Sequence, residues 1–181
     1  MNEELKVLEI VSQRLEQANI PYMITGSTAM NYYATPRMTR DIDLVAEFKK
    51  PEIAKLVKLF DKDFYIDAEM IKDALQSEGM FNIIHNEWIV KVDFIIKKIS
   101  KYSLEAFKRR KKVKVLNFNF WIISPEDLII SKLNWAKDSM SELQLRDVRN
   151  MLECEEILDF KYIEKWIQQH SLEKVYEKIK R

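Results

Sequence analysis

The chain has 181 residues, of which 47% are hydrophobic and 33% charged, a balance that argues against disorder and low complexity and fits one compact domain, alone or with a small appendage. Its 30 basic and 29 acidic residues leave a formal charge of +1, so any attraction to nucleic acid or to an anionic membrane has to be local. The single cysteine, Cys154, excludes an intramolecular disulfide framework and a cysteine-rich zinc site, and the acidic, amphipathic N-terminus and lack of a long apolar stretch read as neither secretion signal nor membrane span, so the expected location is cytoplasmic with no membrane partner.

Leu5, Leu8, Val11 and Leu15 recur at three- and four-residue spacings, which predicts an amphipathic helix over residues 3–18, ended by Asn19 and Pro21. Residues 21–25 form an apolar run stopped by Gly26 and predict a short buried strand. Glycine occurs only at Gly26 and Gly79, so each is expected where the backbone demands it. A turn at Gly26-Ser27 follows, with Ser27 capping a helix that runs to residue 34 before Pro36 breaks the periodicity. Alternation over 40–45 predicts a second strand, so the opening unit is strand, turn, helix, strand.

Pro51 suits the first position of a helix to residue 60, and a weaker amphipathic stretch covers 67–76. Strands are expected over 80–84 and 87–96, joined by a hairpin turn at His85-Asn86. Residues 103–110 read as helix, and the aromatic-rich alternation over 113–123 as one or two strands. Ser124-Pro125-Glu126-Asp127 combines a cap, a pre-set φ and acidic residues at the positive end of the dipole, which marks a helix start. Helical patterns then fill 125–140, 142–152, 161–169 and 172–179. The expected fold class is α+β: a mixed β-sheet flanked by helices over residues 1–123, with a C-terminal helical subdomain over 124–181 packed on it.

Asp41 and Asp43 flank Ile42, and residues two apart in a strand project from one face, so both carboxylates converge. Converging carboxylates repel unless a cation lies between them, and magnesium is a hard ion that takes such oxygen ligands. For an isolated pair at this spacing, a solvated strand face with two chance aspartates is the favoured reading. Asp93, inside the apolar run 90–96, is costly there unless paired or metal-bound, and a neighbouring strand carrying it completes a three-carboxylate cluster; the alternative is an exposed face shared with Lys91. Gly26-Ser27, between a strand and a helix start, offers backbone N–H groups to a phosphate, or is merely a capped turn. Neither a P-loop nor a dinucleotide fingerprint is present.

Gly26-Ser27, the thirteen-residue spacer, Asp41-Ile42-Asp43 and the later Asp93 together resemble the nucleotidyltransferase superfamily related to DNA polymerase β. Within it, GSTAMNYYATPRMTRDIDLV, with Arg37 and Thr39 ahead of the Asp pair, is similar to the AbiEii-type branch of toxin partners in toxin–antitoxin and abortive-infection systems. The segments ISPEDLIISKLNWA, carrying Lys132, and LQLRDVRNML, carrying Arg146 and Asp147, resemble later parts of that branch. The resemblance covers residues 20–152 and implies a nucleotidyltransferase-like fold.

It further implies an Mg²⁺- or Mn²⁺-dependent transfer of NMP from an NTP co-substrate to a hydroxyl acceptor, which RNA, a protein or a small molecule would supply. Asp41, Asp43 and Asp93 are then the catalytic and metal-binding residues, and Gly26, Ser27, Arg37, Thr39 and Lys132 bind the nucleotide. A toxin-like role with an antitoxin partner is compatible with this. The alternative is a catalytically idle nucleotide- or RNA-binding scaffold of the same fold. The cationic run 108–112 with Lys114 could hold a nucleic-acid backbone or be a solvated helix end. His85 and His170 carry no assigned role, and Trp88, Trp121, Trp135 and Trp166 read as core.

Overall fold

Local signals set most of the elements in the computed structural model, which describes residues 2–154 and 157–179. Helix α1 (Glu3–Gln17) starts where the Asn2 side chain accepts the Leu5 N–H, and buries Val7, Leu8, Val11 and Leu15. Strand β1 (Tyr22–Thr25) is buried along its length and leads directly into helix α2 (Gly26–Tyr33); strand β2 (Asp41–Ala46) follows. A short 3₁₀ turn containing Pro51 opens helix α3 (Ile53–Phe60), and the Asp67 side chain caps helix α4 (Ala68–Ser77). Between them lies strand β3 (Phe64–Tyr65), too short for alternation to reveal.

Strands β4 (Met80–His85) and β5 (Lys91–Ile96) form the expected hairpin, but its turn takes residues 86–90 rather than His85-Asn86 alone. Ile89 there adopts φ 52°, and its N–H donates to the His85 carbonyl, so the second strand begins later than its β-prone composition implies. Helix α5 (Lys101–Arg109) is capped by Ser100, and the aromatic segment after it resolves into strands β6 (Lys111–Val115) and β7 (Phe118–Ile122). Four helices follow among the described residues: α6 (Pro125–Ser139), α7 (Glu142–Cys154), α8 (Phe160–Gln169) and the brief α9 (Glu173–Glu177).

The seven strands form one mixed sheet in the order β3-β4-β5-β2-β1-β7-β6. The β2–β5 and β1–β7 pairs are parallel and the others antiparallel. A continuous core joins Leu8 and Val11 of α1, Ile24, Leu44, Phe94 and Ile122 of the sheet, Ile129 and Leu133 of α6, Val148 of α7 and Trp166 of α8. No described helix is long and apolar enough to cross a membrane.

A buried polar network clamps α5 to α6 and α8. Asp127 accepts bonds from Ser124 Oγ (2.7 Å), Tyr162 Oη (2.8 Å) and Arg109 Nε (3.2 Å), while Arg109 also reaches Glu126 and stacks over the Tyr162 ring. Of the tryptophans, Trp166 is buried, and Trp88 and Trp121 are half-buried against the core. Trp135 is 69% exposed, contrary to the reading of all four as core: α6 buries so many of its positions that periodicity did not mark its outward side.

Candidate active site

Asp41 and Asp43 stand two residues apart at the start of β2, as Lys91 and Asp93 do at the start of β5. The parallel register sets Asp41 beside Lys91 and Asp43 beside Asp93. Register partners on adjacent strands project to one side, so three carboxylates and one ammonium gather at one end of the sheet. Asp41 is exposed, Asp43 half-buried and Asp93 buried.

The Lys91 Nζ lies 2.8 Å from Asp93 Oδ2 and 3.4 Å from Asp41 Oδ2. The bond to Asp93 raises the Lys91 pKa against the opposing effect of burial. Asp93 Oδ1 is buried without a hydrogen-bond partner. Burial first, then the charges of Asp93 and Asp41, pushes the Asp43 carboxyl above the ordinary aspartate value, opposed by Lys91 and Lys132.

On the other flank of β2, Thr25 pairs with Asp43 and ends β1. Gly26 follows with φ +60°, and a Cβ there would stand 2.0 Å from Asp43 Oδ2, so backbone and carboxylate together require glycine. The helix begins two residues earlier than expected. Its N-cap position falls on Thr25, whose side chain makes no capping bond, so Ser27 is not the cap but lies within the first turn. Its Oγ instead accepts Arg37 Nη2 at 2.6 Å.

Arg37 also makes a two-pronged contact with Asp147, at 3.0 and 2.9 Å. Asn31 fixes its backbone from both sides: Nδ2 donates to the Arg37 carbonyl and Oδ1 accepts the Arg37 N–H. Lys132 Nζ donates to Asp147 Oδ2 (2.8 Å) and Gln144 Oε1 (3.2 Å), and both Lys132 and Asp147 are buried. Burial pulls the Lys132 ammonium below its ordinary pKa. At Asp147 burial acts upward, but the hydrogen bonds from Arg37 and Lys132 prevail and its pKa is lowered. Thr39 Oγ1 donates to the Asp41 carbonyl at 3.3 Å, steadying the entry to β2. Arg146 is exposed.

The cationic run does not form a single patch. Arg109 is committed to Glu126 and Asp127, Arg110 lies over the Phe107 and Trp121 rings, and Lys112 pairs with Glu16. The helix ends at Arg109 and the next residues alternate as the edge strand β6, so successive cations diverge.

This arrangement can be set against known proteins. Residues 1–180 match the model of a family described as nucleotidyltransferase of unknown function, DUF6036. The chain belongs to that family. No curated protein matches the sequence. Among solved structures, the solution structure of the antibiotic-resistance factor ANT(2'')-Ia superposes with a TM-score of 0.63 at 11% identity, covering 97% of this chain and 95% of that one. The lincosamide antibiotic adenylyltransferase LnuA gives 0.55 at 13% identity over 86% and 98% of the two chains. An antigenic nucleotidyltransferase-like protein from Paracoccidioides brasiliensis gives 0.55 at 19% identity over 83% and 75%. At these identities the likeness is one of fold.

The nucleotidyltransferase fold raises the question of a divalent ion. Three carboxylates are a hard-oxygen donor set suited to Mg²⁺ or Mn²⁺, and Asp93 Oδ1 is buried with no hydrogen-bond partner. As the side chains stand, no group of three or more described His, Cys, Asp or Glu is arranged to hold a metal, and it is Lys91 that touches the cluster. In this member of the family three residues join the cluster without having been expected in it. Lys91 had a signal in the sequence, its two-residue spacing from Asp93; Asn31 and Gln144 had none, since Asn31 bonds the loop residue Arg37 six positions on and Gln144 bonds Lys132 of the preceding helix, contacts that no periodicity marks.

Proposed function

We propose that this protein is a divalent-cation-dependent nucleotidyltransferase that moves a nucleoside monophosphate from an NTP to a hydroxyl acceptor. The observation that carries the reading is the β2–β5 register, with Asp43 beside Asp93 at the strand ends that meet the Gly26 turn. Mg²⁺ or Mn²⁺ held by Asp41, Asp43 and Asp93 would offset the charge of the triphosphate and of the transferring group.

The remaining work falls to the chain itself. First-turn N–H groups of α2, which have no capping side chain, would hold the outer phosphates. Ser27 accepts from Arg37, so its own hydroxyl proton is left for a phosphate oxygen. Arg37, fixed by Asn31 and Asp147, positions Ser27. Lys132 spends two donor directions on Asp147 and Gln144 and keeps a third for the transferring group. The Asp93 carboxylate takes up the proton of the attacking hydroxyl. The acceptor oxygen then bonds to the α-phosphorus as the bond to the bridging oxygen breaks, and that electron pair leaves with pyrophosphate. Residues 124–181 act in this reading as a helical subdomain on the sheet domain 1–123, bringing Lys132, Gln144 and Asp147 to the site.

The antibiotic adenylyltransferases of similar fold make small hydroxyl-bearing molecules the first acceptors to test, followed by RNA and protein. A toxin-like role of the AbiEii type, with an antitoxin partner, belongs to the same proposal and predicts growth arrest on expression that Asp43→Asn abolishes. A second reading, an idle nucleotide-binding scaffold, is favoured by one observation: Lys91 already supplies positive charge at the carboxylates. Incubation with each labelled NTP, Mg²⁺ or Mn²⁺, and these acceptor classes separates the two. Transfer by the wild type and not by Asp43→Asn supports the enzyme; nucleotide binding with no transfer to any acceptor supports the scaffold.

A further inference from the structure

We propose that Lys91 is an internal counter-cation of the carboxylate cluster, which a divalent ion has to displace before the site can bind a triphosphate. The inference rests on the reading of Asp41, Asp43 and Asp93 as a metal site and adds the device that governs when it fills. Three carboxylates at one end of a sheet repel one another, and a fold that must exist before its metal arrives needs another source of positive charge. The β2–β5 register provides it. Lys91 lies opposite Asp41 and two residues before Asp93, so its side chain leaves the sheet on the carboxylate face. Its ammonium bridges Asp93 Oδ2 at 2.8 Å and Asp41 Oδ2 at 3.4 Å.

The bridge is built to be given up. It satisfies one Asp93 oxygen and leaves Oδ1 buried with no partner. The Lys91 side chain is 36% exposed and sits on a flexible four-carbon stem, so swinging outward requires no change in the backbone. The lysine end of this pair reaches solvent and brings a single charge to the carboxylates, whereas a divalent ion brings two and takes several hard oxygens at once. Lys91 therefore holds the carboxylates together without metal and lowers their affinity for it, so that the cluster resists weak or wrong ions.

The test uses Mn²⁺ alone as the probe, with free Mn²⁺ followed by electron paramagnetic resonance and unfolding followed in EDTA and in saturating Mn²⁺. Wild type, Lys91→Met, Lys91→Arg and Asp43→Asn are compared. Lys91→Met is expected to bind Mn²⁺ about fivefold or more tightly than the wild type, to melt lower in EDTA and to gain more from Mn²⁺. Lys91→Arg, which keeps the charge, is expected to retain the wild-type melting temperature in EDTA, which separates loss of charge from mere disturbance of β5. If Asp43→Asn abolishes Mn²⁺ binding while Lys91→Met binds with wild-type or weaker affinity, the counter-cation role is overturned and the metal site stands. If no variant binds Mn²⁺, the metal-site reading fails and takes this proposal with it.

Discussion

Gly26 and Asp43 share one space: the carboxylate of β2 occupies the position a side chain on the glycine would take, with Oδ2 2.0 Å from an ideal Cβ. The same glycine holds φ +60°, where an L-residue is strained by about 1–2 kcal/mol. Gly26→Ala is therefore expected to melt lower and to lose nucleotidyl transfer, because Asp43 must move. Gly79→Ala is the internal comparison. A Cβ there would meet Ser77 Oγ at 2.8 Å, the end of a side chain that can rotate, and its φ is not in the left-handed region. It should keep activity near wild type. Equal activity in both variants would contradict the close approach of Gly26 to a working carboxylate.

Asp43 carries a cost that the proposed metal site explains. Burial and the charges of Asp93 and Asp41 raise its pKa, and a carboxyl held above its unfolded value lowers the stability of the fold as pH rises through the unfolded value. Asp43→Asn removes that cost. In EDTA at neutral pH the variant should melt above the wild type, and the gap should narrow as the pH falls below about 4, where an unperturbed aspartate is protonated. Nucleotidyl transfer should fall at least about a hundredfold, the loss typical of removing a group that acts on developing charge. Melting curves across pH and a labelled-NTP assay check both halves.

The acidic part of the site was legible in the sequence because it depends on strand periodicity. Asp41 and Asp43 had to share a face, and an aspartate inside an apolar strand needed company; only the register that sets Asp93 beside Asp43 came from the folded chain. The cationic part was not legible in the same way. Arg37 and Lys132 read as free positive groups, yet they meet on one buried carboxylate, Asp147, across 110 and 15 residues of sequence. No local pattern encodes such a contact. Ser27 shows the limit at short range: a serine after glycine at a helix start has the composition of a cap, yet it lies inside the first turn and its Oγ accepts from Arg37. Secondary structure followed the signals wherever apolar spacing and caps agreed, as in α1 and α6, and departed where an element was only two residues long, as in β3, or where a turn took the first residues of an expected strand, as before β5.

The Asp147 hub makes its own prediction. Asp147→Asn leaves Lys132 buried without a compensating charge and removes the Arg37 contact, a class of change that costs about 3–5 kcal/mol. Because the Asp147 pKa is lowered on folding, its contribution is present above the ordinary aspartate range and fades as the pH drops toward the folded value, so the acid limb of the wild-type stability profile should flatten in the variant. Burial already lowers the Lys132 pKa, and without Asp147 it should fall further. The variant should then regain stability at alkaline pH, as Lys132 loses its proton. Adding Lys132→Met to Asp147→Asn should restore much of the loss at neutral pH. Urea unfolding of the single and double variants from pH 4 to 10 reads each sign; a double variant no more stable than Asp147→Asn would remove the buried ammonium as the cause.

The helix that carries Lys132 is anchored by a second buried carboxylate. Ser124 Oγ accepts the Asp127 N–H at the start of α6 and donates to Asp127 Oδ2, while Arg109 supplies the only positive charge in contact with it among the described residues. Ser124→Ala loses a helix cap and should cost about 1–2 kcal/mol. Arg109→Met should cost more, since it leaves Glu126 and Asp127 without their cation. Burial raises the Asp127 pKa, while the Ser124 hydrogen bond and the Arg109 charge hold it down, so removing either raises it further and both penalties should grow as pH rises from 5 to 8. Chemical denaturation at those two pH values measures both. A pH-independent Arg109→Met penalty would mean that the arginine acts here through its stacking on Tyr162 and not through its charge.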